Sequence, residues 1–278
     1  MTLIKALTTR ALLVLSAAFL SAGTAQAQPA ETPREDEADR RFYATVGMGV
    51  DFAQGDYGDR DQNGDAVQTN SGSVPVFLKL EWEPVTFRIS VPFLLIDGSD
   101  QVLGGTDGAE GNTDAAARSR LDYGLGDVTT SLTYTYYPTR DQRLLPVVDL
   151  TTRVKIPTAM NDLGTGYVDV TLQTELSKTL GRFTPFVGFG YRFRGGAAFR
   201  DTWLVFTGLS LRVTDWLSVG AAYEYSEAAT SFAGEVSEVS PFLSLRLGQH
   251  WRLSPYGVIG FDDGSPDWGV GSTLSYQF

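Results

Sequence analysis

The chain has no cysteine and one histidine, His250. An exported protein of this composition has neither disulfides nor thiolate metal sites, so its fold must be held by hydrogen-bonded backbone alone. No serine stands where it would form a nucleophile–base pair with His250, and the carboxylates Asp262 and Asp263 sit in a loop with no sign of a perturbing environment. Catalytic residues are therefore not expected. Positive charge is also scarce: 22 Lys and Arg stand against 33 Asp and Glu, for a net charge of −11. That balance argues against nucleic acid, whose binding surfaces need clustered cations. Long apolar runs are missing too. The one at Ala11–Ala22 is shorter than the roughly twenty residues that span a bilayer as a helix.

That run is preceded by Lys5 and Arg10 and followed by Ala25-Gln26-Ala27, the pattern of a secretory signal peptide cleaved after residue 27. Its removal takes two positive charges from −11 and leaves a mature chain of −13. Residues 28–41 are charged and proline-containing, with too little apolar surface to order themselves, and read as a flexible periplasmic arm. From residue 42 onward the chain is soluble or crosses the membrane as strands.

What is present is alternation. Trp268, Val270, Ser272, Leu274, Tyr276 and Phe278 share one face of the final segment, and small or polar residues share the other. A strand with one apolar and one polar face sits between two different solvents. Ending a chain on such a strand, with the aromatic Phe278 last, resembles the assembly signal of bacterial outer-membrane barrels. Similar segments lie near 42–53, 74–82, 85–96, 125–137, 145–156, 167–179, 183–194, 203–213, 216–226, 236–247, 251–261 and 267–278. The fold class read from them is all-β: a transmembrane antiparallel up-and-down barrel of about twelve strands over residues 42–278.

The connections alternate in length. Glu83-Pro84 and the turns at Gly181, Thr214-Asp215 and Gln249-His250 are tight, whereas 54–73, 97–124, 157–166, 195–202 and 227–235 are longer and rich in Gly, Asp, Asn or Ser. This asymmetry places both termini in the periplasm and the long loops outside. Val85, Phe87, Ile89, Val91 and Phe93, and likewise Leu217, Val219, Ala221, Tyr223 and Tyr225, form lipid-facing sets. Trp82, Tyr134, Tyr136, Trp203, Trp251 and Trp268 fall near strand ends, where interfacial aromatics collect.

Charges lie on the opposite, lumen-facing positions. Turn positions set an approximate register, because antiparallel partners sum to a nearly constant index. A turn near Asp141 sets Asp127 opposite Lys155, the loop near Asn161 sets Lys155 opposite Asp169, and the turn at Gly181 sets Asp169 near Arg192. The expected result is a row of alternating sign, Asp127, Lys155, Asp169 and Arg192, towards the extracellular mouth, with Arg153, Glu175 and Arg194 beside or below it. Such a row is either a structural girdle that pairs charges within the wall or a charged constriction that selects what passes. Phe77, Phe186, Phe242 and Tyr256 also point inward, where they would block an aqueous path or line a route for apolar solutes.

The stretches Gly124-Leu125-Gly126-Asp127, Lys155-Ile156-Pro157-Thr158 and Leu163-Gly164-Thr165-Gly166, with Asp169 three residues on, resemble the outer-membrane transporter family named for the meta-pathway of phenol degradation. Ala159 stands where that pattern has glycine. The resemblance implies an outer-membrane channel associated with aromatic-compound catabolism and supplies no catalytic residues. A monomer passing small molecules inward by passive diffusion is the function it suggests. A structural or adhesive barrel with a filled lumen is the alternative.

Two acidic loops complete the reading. Asp59, Asp61, Asn63 and Asp65 match the first half of a calcium loop spanning 59–70, but position twelve is Asn70 instead of a bidentate Glu. A calcium site and a solvated acidic loop are both open. Residues 97–123, with Asp100, Asp107, Glu110 and Asp114, form a surface loop, an inward gate, or a bridge to lipopolysaccharide through divalent cations. Other expected partners are outer-membrane lipids and, through Phe278, the barrel assembly machinery.

Overall fold

The computed structural model describes residues 42–57, 67–98, 120–139, 142, 144–161, 163–230 and 233–278. The expected signal peptide, the arm at 28–41, the calcium-loop residues Asp59, Asp61, Asn63 and Asp65, and the acidic residues between 99 and 119 lie outside the described residues.

The strands in chain order are β1 (Phe42–Gly55), β2 (Thr69–Trp82), β3 (Val85–Gly98), β4 (Arg120–Leu125), β5 (Val128–Tyr136), β6 (Val147–Ile156), β7 (Asp169–Ser177), β8 (Phe183–Phe193), β9 (Thr202–Arg212), β10 (Leu217–Ser226), β11 (Val236–Leu247), β12 (Trp251–Gly260) and β13 (Trp268–Gln277). Each described neighbour pairing is antiparallel, β1 pairs with β13, and β2 pairs with β3, so the sheet closes on itself. β4 and β5 both lie along β3 and are two parts of one stave, which makes the barrel twelve-stranded. Closure leaves β4 as the one strand with an unpaired edge among the described residues, and a closed ladder is the condition for a strand-built wall in hydrocarbon.

All twelve expected segments are present. The expectation fell short in two places. β2 begins at Thr69 instead of near 74, because Asn70, Ser71, Gly72 and Ser73 read as loop residues yet pair with both β1 and β3. Residues 120–124 form β4 where a loop was expected. In both, ladder pairing overrides weak local strand propensity.

Faces alternate as the pattern requires. Val46, Met48 and Val50 on β1, Phe87 and Phe93 on β3, and Val187 and Phe189 on β8 are exposed on the outer face. Trp82, Tyr134, Tyr136, Trp216 and Trp251 mark the end with short turns, and Trp203 and Trp268 the end with long loops; all are exposed. Phe278 continues this outer face past β13, and its N–H donates to the Ala44 carbonyl at 2.8 Å across the β1–β13 seam.

Five inward aromatics each stand directly across the ladder from a glycine. Phe77 pairs with Gly47, Phe186 with Gly208, Phe206 with Gly188, Phe242 with Gly220 and Tyr256 with Gly271. The rings lie against the glycine backbone, so closely that a Cβ built at any of these glycines falls within 2.5 Å of a ring atom. They therefore hug the wall and do not stand out across the bore. Phe186 and Phe206 join Leu204 and Ala222 in a buried cluster on β8–β10. Arg88 lies 4.0 Å above the Phe77 ring.

Substituting Gly188 by alanine is expected to displace the Phe206 ring and destabilise the barrel by about 1–3 kcal/mol, the usual cost of overpacking. Urea unfolding in detergent reads the loss, and a second change, Phe206→Leu, should recover much of it.

Candidate functional site

The stave formed by β4 and β5 changes face at its middle. Leu121, Tyr123 and Leu125 point outward at odd numbers, and Val128, Thr130, Leu132, Tyr134 and Tyr136 point outward at even ones. The ladder with β3 shows the cause: Phe93 pairs with Leu125 and Ser90 with Thr129, one residue more on the β4–β5 side. Gly126-Asp127 is thus a β-bulge, a device that re-aims a side chain. Gly126 is required because a Cβ there would come within 2.6 Å of Leu94 Cδ1. Asp127 is turned fully inward and has no exposed surface.

The bulge leaves backbone groups without ladder partners, and the β6–β7 connection supplies them. This segment, 157–168, folds inward as a strap. Met160 N–H donates to the Leu125 carbonyl at 2.8 Å, Asn161 Nδ2 to the Tyr123 carbonyl at 2.8 Å, and Val128 N–H to Thr158 Oγ1 at 2.9 Å. Thr158 and Ala159 N–H both donate to Asp127 Oδ1 at 2.9 Å. Gly164 lets the strap double back: a Cβ there would lie 2.7 Å from both Asp127 Oδ2 and the Ala159 Cβ. Asn161 takes the left-handed conformation, φ 56°, that asparagine tolerates. Ala159, which replaces the family's glycine, needs no such conformation and packs beside the buried cluster of Leu163, Leu94, Ile96, Ala53 and Tyr57. Tyr57 lies just beyond β1, and its burial pushes the hydroxyl pKa up. Leu163 thereby ties the strap to side chains from β1 and β3.

Lys155 completes the arrangement. Its Nζ lies 2.9 Å from Asp169 Oδ2, 3.7 Å from Asp127 Oδ2, and donates to Thr165 Oγ1 at 2.9 Å. Asp169 Oδ1 accepts from Gly195 N–H at 2.9 Å, which fixes the start of the next long loop. Two carboxylates flank one ammonium, all three buried, with backbone donors on Asp127 Oδ1 and Asp169 Oδ1. A buried ion pair needs this additional hydrogen bonding to offset desolvation.

The structure brings the expected row together with corrections to its register. Lys155 is directly opposite Asp169, as expected. Asp127 is not opposite Lys155: Thr129 is, and Asp127 reaches Lys155 diagonally. Arg192 is opposite Thr171, not Asp169. Both displacements are two residues, because the β5–β6 connection centres on Gln142 and the β7–β8 turn on Gly181-Arg182. An even shift keeps each side chain on the same face, and Asp127 and Asp169 both reach Lys155. Arg153 and Arg192 flank Thr171 from the two sides, both buried. Arg194 lies just past β8, half-buried, its N–H donating to Asp201 Oδ1 at 2.9 Å. Glu175 stands apart from the row, directly opposite Asp149 nearer the short turns.

Inward residues of the long-loop half, such as Leu94, Asp127, Lys155, Asp169, Arg192, Thr202 and Glu238, are buried. The other half is mixed: Thr133, Thr151, Gln173, Ser244, Thr273 and Ser275 are partly exposed, whereas Glu175, Thr184, Phe186, Ser210, Ser218 and Ser254 are buried. The strap and its cluster lie at the long-loop end of the bore. Sequence reasoning found Asp127, Lys155 and Asp169 but missed the bulge and strap, although the odd-to-even switch of apolar positions at Gly126-Asp127 signals the bulge. His250 lies in the β11–β12 turn, with Nδ1 2.8 Å from the Gln277 carbonyl and its ring stacked on Tyr276.

Replacing Lys155 by methionine would leave Asp127 and Asp169 buried without their cation. A loss of about 3–5 kcal/mol is expected, the cost of breaking one side of a buried pair. Denaturant unfolding should show it, and Asp127→Asn combined with Lys155→Met should cost less than the sum of the single changes.

The sequence profile of the family described as "Putative MetA-pathway of phenol degradation" matches residues 50–278. No curated protein is significantly similar in sequence. Among solved structures, the COG4313 outer membrane channel from Pseudomonas putida F1 superposes with a TM-score of 0.64 at 13% identity, covering 88% of this chain and 100% of that one. The Pseudomonas putida toluene transporter TodX gives 0.43 at 8% identity over 86% and 90% of the two chains, and the Ralstonia pickettii toluene transporter TbuX 0.41 at 9% over 86% and 89%. With a closed antiparallel barrel, the fold of an outer-membrane channel, and the bulge, strap and ion pair built from the motif residues, the chain belongs to the phenol-degradation MetA-pathway family.

Proposed function

We propose that this barrel is an outer-membrane channel for passive uptake of small molecules, aromatic and other apolar compounds foremost, and that the strap closes its mouth at rest. The observation that carries this reading is the strap itself, turned inward at the long-loop end and fastened there by Asp127 and by the buried Leu163. The family's association with phenol degradation and the outer-membrane channel fold support the substrate class and the location. The long loops then face outward and both termini the periplasm, in line with the length asymmetry of such barrels. Phe278, exposed beside the β1 seam, is placed to meet the assembly machinery, and the outer girdles to meet lipid and lipopolysaccharide. The protein acts as a monomer without a catalytic step.

In this reading Asp127, Lys155 and Asp169 form a latch for the strap, and Arg153 and Arg192 line the passage that opens beneath it. The strap's apolar anchor is Leu163. Replacing Leu163 by serine loosens that anchor and leaves the ion pair in place. In planar bilayers the refolded wild-type protein is expected to be mostly closed and Leu163→Ser to show several-fold more open time. Silence of both proteins, with no uptake of phenol-sized solutes into liposomes, would favour a closed structural or adhesive barrel instead.

A further inference from the structure

A second pair of acids faces the lumen away from the strap. Asp149 on β6 and Glu175 on β7 are direct cross-strand partners on the inner face, in the half nearer the short turns. Opposed side chains at such positions have Cβ atoms about 4.5–5.5 Å apart, and like charges there repel. Asp149 Oδ1 accepts from Thr135 Oγ1 at 2.5 Å. Glu175 is only 4% exposed, and its Oε2 is buried without a hydrogen-bond partner. A buried carboxylate oxygen left unpartnered beside a second carboxylate is stabilised by a proton or by a positive counter-charge.

Lys79 and Arg88, two of the cations around this end, have other engagements. On β2, Lys79 lies 3.0 Å from Glu81. On β3, Arg88 stacks on Phe77. Arg153 is four residues from Asp149 along β6, on the far side of Thr151, and Arg252 lies on β12 near Lys79. On β8 Glu175 meets Gly188, which carries no side chain and is roofed by Phe206. The local field is negative: Tyr137, just outside β5, has its hydroxyl pKa raised by burial and then by Glu83, Asp149 and Glu81.

The geometry points to a divalent-cation site at this end of the lumen, held by Asp149 and Glu175 with the Thr135 hydroxyl as a further oxygen ligand. The donor set is all oxygen and carries two negative charges, which suits calcium or magnesium over softer metals. Glu175 supplies the free oxygen and Asp149 the opposing arm. Water from the partly open half of the bore would complete the coordination sphere. This site is separate from the acidic segment 59–65 and does not depend on whether the bore conducts.

Terbium luminescence on the refolded mature protein in detergent, excited through tyrosine, tests it, with calcium as competitor. Wild-type protein is expected to show a calcium-displaceable signal, sensitised by Tyr137, and a melting temperature that rises with added calcium. Glu175→Gln relieves the repulsion and should fold, and Asp149→Asn is the second variant. Each should weaken terbium binding at least ten-fold and abolish the calcium-dependent rise in melting temperature. Asp59→Asn with Asp61→Asn should leave both readouts unchanged. Absence of the signal in wild-type protein, or binding in both β6–β7 variants indistinguishable from wild type, would overturn the proposal.

Discussion

Inside a membrane wall every backbone N–H and C=O must be paired, because hydrocarbon offers no substitute for water. This chain breaks its ladder at Gly126-Asp127, and β4 has a strand neighbour on one edge only among the described residues. The strap is the repair. Its backbone and side chains take up the Leu125 and Tyr123 carbonyls and the Val128 N–H, so its inward path follows from hydrogen-bond accounting at the bulge. The strap's position is thus tied to the integrity of the wall itself.

The ion pair makes that repair specific. Asp127 holds the strap through two backbone donors and is held by Lys155, whose other partner Asp169 grips the next loop through Gly195. Apolar side chains could fill the same volume at less desolvation cost. They could not tie three connected segments, the bulge, the strap and the start of the β8–β9 loop, into one network. The two acid pairings in the lumen therefore differ in kind. One shares a built-in cation, Lys155, and the other sets Asp149 and Glu175 directly across the ladder from each other.

Much of the fold was legible from alternation, because an outer face in lipid and an inner face in a polar lumen impose period two on every stave. Position of the charges was legible for the same reason: an error of two residues in register left Asp127, Lys155, Asp169 and Arg192 on the correct face. What could not be read were features that depend on three-dimensional closure. Asn70, Ser71, Gly72 and Ser73 look like loop until both neighbours pair with them. The inward rings of Phe77, Phe186, Phe242 and Tyr256 look like a blockage until their glycine partners are known, since only the ladder says which glycine lies across from which ring. The strap was not legible either, because its Leu163 reads as an ordinary loop leucine until its burial against β1 and β3 is seen.

The bulge also acts as a frameshift in the alternation. Upstream of it, odd positions face lipid; downstream, even positions do, and one extra residue lets both halves of a single stave keep their apolar sides out. The two halves are thus written in different reading frames, joined at Gly126-Asp127. A one-residue deletion at this join would restore unbroken alternation, keep Leu121, Tyr123 and Leu125 outward, and abolish the bulge that turns Asp127 towards the strap. Removal of two residues would put the halves out of phase, turning Leu121, Tyr123 and Leu125 into the lumen and Asp122 towards lipid. Length at this point is therefore constrained more tightly than composition, although the segment lies beside loops whose length is otherwise free to vary.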